Sequence, residues 1–160
     1  MTLSYLAMWY SSQTSLDTLV DAGLLENYSH VFVNYGLHDV SMYTTNRFQV
    51  HLKSRLERLS AYRRRMTTPC NIVYLGMWAQ RLSKKPVDWI WSGSHKRTEA
   101  FVEAMRTTAF QSGIPFIDTY AMTLPMLEFN VDGVHFDERV TRPLAMLLTS
   151  VMTEGLVRSA

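Results

Sequence analysis

The chain has 160 residues, 47% of them hydrophobic and 19% charged, which excludes intrinsic disorder and suits one soluble globular domain over 1–160. A net charge of +2, from 16 Lys and Arg against 14 Asp and Glu, provides no field to hold nucleic acid, and no apolar run reaches the ~20 residues of a membrane span. The single cysteine, Cys70, excludes an internal disulfide or a thiolate metal cage, although a domain of this length buries roughly 70% of its unfolded surface and needs neither.

In chain order, Leu3 to Trp9 reads as a first strand, lacking the length and the basic flank of a secretory leader. Ser11-Ser12-Gln13-Thr14-Ser15 then supplies a turn and a helix N-cap, after which Leu16, Leu19, Val20 and Leu24 fall at helical spacing. His30 to Asn34 predicts the second strand. It breaks at Tyr35-Gly36, where glycine lets the chain turn away into a loop holding Leu37, His38 and Asp39. Asn46 to Met66 predicts the longest helix, with Phe48, Leu52, Leu56, Leu59, Tyr62 and Met66 on one face and Arg47, Lys53, Arg55, Glu57 and Arg64 on the other. The run Arg63-Arg64-Arg65 complements its macrodipole, and Thr67-Thr68-Pro69 stops it.

Asn71 to Met77 predicts the third strand. Trp78 to Ser94 has no clean period and contains Pro86, Gly93 and Trp89-Ile90-Trp91, so it reads as a long excursion over the strand ends. His95 to Ser112 is helical again, with Phe101, Met105, Thr108 and Ala109 inward and Gly113 closing it. The fourth strand is Ile114 to Asp118. An irregular segment runs from there to Phe136, and a last helix follows, capped by Thr141 with Pro143 in its first turn and Leu144, Leu147, Leu148 and Val151 inward.

Strands alternating with helices predict an α/β fold: three layers around a mostly parallel sheet, flavodoxin-like in form. Ligands of such sheets sit beyond the carboxyl ends of the strands, which singles out the loops at 11–15, 35–39, 78–94 and 118–135. The last holds Asp132-Gly133-Val134-His135. A carboxylate and an imidazole three residues apart around a glycine turn can join at one ring nitrogen, which fixes the tautomer and frees the other nitrogen as a base. Trp78, Trp89 and Trp91 can wall a sugar or acyl group, cap the sheet edge or face a partner. Asp118 ends a strand within reach of the loop bearing Asp132 or forms its own turn. Cys70 begins a strand, at the wrong end of the sheet for a nucleophile. His30, His51 and His95 lack metal-ligand spacing, and no metal or cofactor is expected.

Asn34-Tyr35-Gly36-Leu37-His38-Asp39 after a strand, then alternating helices and strands, then Asp132-Gly133-Val134-His135-Phe136 before the final helix, resembles the SGNH hydrolase superfamily of GDSL-like esterases. The Gly-Leu-His-Asp form is similar to its PC-esterase and O-acyltransferase branches. The resemblance spans nearly the whole chain. It implies a serine esterase or acyltransferase acting on an O-acyl ester of a carbohydrate or lipid, with Asp132 and His135 as acid and base of a Ser-His-Asp triad. Gly36 and His38 would serve the oxyanion and Asp39 would lie beside the substrate. Position 38 carries His where most members have Asn, and an imidazole N–H donates to an oxyanion as an amide does.

The family's opening strand, ending in Gly-Asp-Ser with the nucleophile, has no counterpart, and the loop Tyr10-Ser11-Ser12-Gln13 lacks the glycine of the second block. The chain reads as starting one strand late. Ser11 and Ser12, at a strand's carboxyl end, are the candidate replacement nucleophiles, against their ordinary reading as N-caps. A missing central strand leaves backbone groups unpaired unless the sheet closes up, another chain fills the gap, as in a homodimer, or the natural protein carries an upstream strand with the serine. The rival expectation is a catalytically inactive binding or structural module on the same scaffold. The sequence leaves the compartment open.

Overall fold

A computed structural model describes residues 15–67, 70–91 and 93–154. Three parallel strands, β1 (His30–Asn34), β2 (Asn71–Leu75) and β3 (Phe116–Ile117), lie side by side in chain order. Around them are α1 (Ser15–Asp21), α2 (Asp39–Met42), α3 (Thr45–Arg65), α4 (Val87–Ile90), α5 (His95–Gln111), α6 (Thr119–Thr123) and α7 (Glu138–Glu154). Short 3-10 turns occupy Leu24–Asn27, Leu82–Lys84 and Leu124–Phe129. The expected strand at Leu3 to Trp9 and the serines Ser11 and Ser12 lie outside the described residues.

The order β1-β2-β3 with right-handed crossovers puts successive connecting helices on one face. α3 and α5 pack there against each other, with Phe48 stacked on Phe101 at 4.8 Å between ring centres. The α3 stripe Phe48, Leu52, Leu56 and Leu59 is fully buried with Phe101, Met105 and Ala109 of α5 and Val33, Ile72 and Tyr74 of the sheet. Each such side chain contributes about 1.5–3 kcal/mol by leaving water. Successive strand residues face opposite ways, so Val73 points away from this core, yet it too is fully buried. The sheet is therefore covered on both faces at its centre, as the three-layer expectation requires. On the α3 side, Asp17 of α1 pairs with Arg55 and Arg58, tying the first helix to the long one.

Several boundaries differ from the sequence reading. β2 stops at Leu75 and β3 spans only Phe116–Ile117, because Asp118 turns the chain into α6 by accepting from Ala121 N at 2.9 Å. Asp118 also pairs with Arg106, so its carboxylate is engaged there and not with the loop bearing Asp132. The stretch after Asp118 is regular as far as Phe129, folding as α6 and a 3-10 turn, and irregular from there to Phe136 as expected. α7 begins at Glu138, not at Thr141. Asp137 Oδ1 accepts from Arg139 N at 2.9 Å and initiates the helix, which moves Pro143 into the second turn. The inward residues of α7 are Val140, Leu144 and Val151, whereas Leu147 is 36% exposed. At the other end Leu25, not Leu24, is buried.

Candidate active site

The Asp-Gly-Val-His segment forms a closed turn. Asn130 and Phe136 bridge antiparallel at its base, and Val131 N donates to His135 O at 2.7 Å. Gly133 adopts φ 97°, a left-handed conformation that glycine adopts without steric cost, and its N–H donates to the buried Asn130 Oδ1 at 2.6 Å. Asp132 Oδ1 accepts from Val134 N at 2.9 Å and His135 N at 2.8 Å. Asp132 Oδ2 meets His135 Nδ1 at 2.7 Å. These bonds, the imidazole's foremost, hold the Asp132 carboxyl well below the usual carboxylate range. An ionised carboxylate only accepts, so His135 Nδ1 carries the proton and Nε2 keeps its lone pair. The His135 side chain is 76% exposed, and Nε2 is hydrogen-bonded to nothing among the described residues.

The turn is docked on the excursion that leaves β2. Arg81 N donates to Gly133 O at 3.1 Å, the Arg81 guanidinium to Glu128 O at 3.2 Å, and Lys84 Nζ to Asn130 O. Phe136 stacks on Trp78 at 5.8 Å and joins Val140 and Leu144 in a second, smaller apolar cluster. Trp78 is thus a packing residue beneath the turn, partly buried in that cluster. Trp89 and Trp91 lie on and just after α4, 54% and 63% exposed.

At the end of β1, Asn34 Nδ2 donates to Leu75 O and Gly76 O at 2.9 and 2.7 Å and locks the two strand ends together. Gly36 follows at φ 117°, buried against the Met77 and Met105 side chains. His38 precedes α2 and is half-buried. Burial lowers its readiness to protonate, Asp39 favours the proton, and His135 and Lys85 oppose it. These three charges place His38 in one neighbourhood with the Asp132–His135 turn. Asp39 is fully buried, so it acts from below on His38 and cannot lie against a substrate, which corrects the surface role expected of it. Two surface hollows of about 340 Å³ flank Arg106 and Asp118, and neither includes His38, Asp132 or His135.

No protein-family model matches the sequence, and no curated protein matches it. Solved structures do match its fold. A lipase/acylhydrolase from Enterococcus faecalis superposes with a TM-score of 0.65 at 20% identity, over 91% of this chain and 71% of the other. The chain has the SGNH-hydrolase fold. The aryl esterase of M. smegmatis matches with a TM-score of 0.58 at 17% identity, over 84% of this chain and 65% of its own. An alpha/beta hydrolase enzyme from the metagenome of Lake Arreo, Spain, matches at 0.55 and 16%, over 86% and 67%.

Gly36 and His38 follow the carboxyl end of β1, and the Asp132–His135 turn docks on the segment that leaves the carboxyl end of β2. Among the described residues, no group of His, Cys, Asp and Glu could hold a metal ion, and no helix is long and apolar enough to cross a membrane. His30 bonds Ser29 and Asn71, His51 packs on Tyr43 and His95 meets Tyr120. Cys70 is buried at the start of β2. Sequence reasoning missed Asn34, Gln80, Arg81, Lys84, Lys85 and Asn130. Only Asn130 carried a local signal, an Asx residue just ahead of the Asp-Gly turn.

Proposed function

We propose that the chain is a serine esterase or acyltransferase domain of SGNH type, acting on an O-acyl ester. A serine attacks the ester carbonyl while His135 Nε2 takes its proton; it is supplied by an upstream segment or, within this sequence, by Ser11 or Ser12. Asp132 orients the ring and stabilises the imidazolium. The Gly36 backbone N–H and the His38 ring N–H donate to the oxyanion, a role in which a neutral His38 serves as an amide would. His135 then returns the proton to the leaving alcohol, and water or an acceptor hydroxyl releases the acyl group. Trp89 and Trp91 supply exposed aromatic surface for the acyl chain or for a glycan carrier.

The observation that supports this reading best is the 2.7 Å bond from His135 Nδ1 to Asp132, which leaves the opposite nitrogen basic and accessible. The test is hydrolysis of a short-chain aryl ester, with intact mass after a serine-trapping phosphonate. Wild type should turn over and gain one adduct. His135→Ala and Asp132→Asn should each lower turnover by about a thousandfold. Equal turnover in wild type and His135→Ala sinks the proposal, and neither adduct nor turnover in wild type identifies an inactive module.

A further inference from the structure

Lys85 meets the Asp132–His135 turn from beneath. A Cβ built on Gly133 would lie 2.6 Å from Lys85 Cγ and 3.1 Å from Lys85 N, and one on Gly93 would lie 2.7 Å from Lys85 Nζ. The side chain thus runs between two glycines, and any larger residue at either place would have to displace it. Its ammonium donates to Gln80 Oε1. Gln80 is itself almost completely buried, so the anchor has little room to move. Neighbouring Arg81 and Lys84 hold backbone carbonyls of the same turn and its approach.

We propose that Lys85 is a positioning residue for the Asp132–His135 pair. Its stem, wedged between Gly93 and Gly133 and pinned to Gln80, holds the turn in the shape that joins Asp132 to His135 Nδ1. The inference rests on reading His135 as the base. The charged groups around His38 are Asp39 at the start of α2, His135 on the turn and Lys85 on the excursion after β2. Burial opposes a proton on the His38 ring most, Asp39 attracts one, and His135 and Lys85 oppose it more weakly. The Asp132 carboxylate favours the charged form of Lys85 against the effect of its burial. Removing the ammonium therefore leaves Asp39 less opposed, and His38 protonates at higher pH.

The experiment is a long-range proton–nitrogen NMR spectrum of the histidine rings, recorded against pH for wild type, Lys85→Met and Lys85→Ala, with circular dichroism to confirm folding. Wild type should show His135 protonated at Nδ1. Lys85→Met keeps a stem and should retain that pattern, with the His38 midpoint moved upward. Lys85→Ala removes the wedge and should turn the His135 signals into a tautomer average. Where the chain turns over ester, its kcat should also drop about 10- to 100-fold with KM little changed, as expected of a misplaced base. Unchanged histidine signals in both folded variants overturn the inference. Because the signals need no turnover, an inactive wild type with Lys85-dependent signals rejects the esterase reading and leaves the positioning role standing.

Discussion

Asp132 does three jobs with two oxygens: one accepts the backbone N–H groups of Val134 and His135, and the other holds the imidazole. Its proton affinity is depressed in the folded state, so its stabilising contribution is complete above the ordinary carboxylate range. It is lost progressively as pH falls from the ordinary carboxylate range to the lowered folded value. The backbone amide resonances of Val134 and His135 should therefore hold their folded positions past the point where exposed carboxylates titrate, and shift together in stronger acid. Asp132→Asn should abolish that late transition, and a shift at ordinary carboxylate pH in wild type would contradict the assignment. This part of the site was legible in the sequence because the partners are three residues apart, and an Asp-Gly turn can close over that span. Lys84 and Asn130 are 46 residues apart, and no local pattern marks a contact made only when two loops meet on a folded sheet. The burial of Asp39 was equally hidden, because an acidic residue in a loop ordinarily faces water.

At the scale of elements, β1 and α3 were readable nearly to the residue. β1 ends where Gly36 turns the chain, and the apolar stripe of α3 repeats over several turns, so the hydrophobic period fixes which face is inward. α7 was harder, since its amphipathic stripe is broken by Pro143, and proline is most at home in a first turn. The structure instead starts the helix at Asp137–Glu138 and leaves proline where an N–H would reach Arg139 O. That missing bond and the ring's crowding cost more than proline's stiffening of the unfolded chain returns. Pro143→Ala should stabilise the protein by about 1–2 kcal/mol, read as a higher denaturant midpoint at constant slope. A lower midpoint would contradict this account of Pro143. α4 was not foreseen as a helix because four residues carry no period, and its Val87, Trp89 and Ile90 remain exposed.

At the scale of the whole molecule, the described residues form two apolar clusters of unequal size. The larger joins α1, α3, α5 and the sheet. The smaller, Phe136, Val140 and Leu144 with Trp78 and Phe129 around them, seats the turn that bears His135. The alternation of strands and helices made the larger cluster predictable, since every inward stripe points at the sheet. The smaller one joins the exit of β2 to the start of α7, and that joint follows from topology rather than from any one segment. The two clusters share only Leu127 among the described side chains packed against them, so heat should reach them at different points. On warming, the His135 ring signals should lose their Nδ1-protonated pattern several degrees before the far-ultraviolet signal of α3 and α5 collapses. Coincident transitions would mean one unit. With separate transitions, the ceiling temperature of the proposed activity would be set by a handful of side chains around Phe136. Reinforcing the large core would raise its melting point and leave that ceiling where it stands.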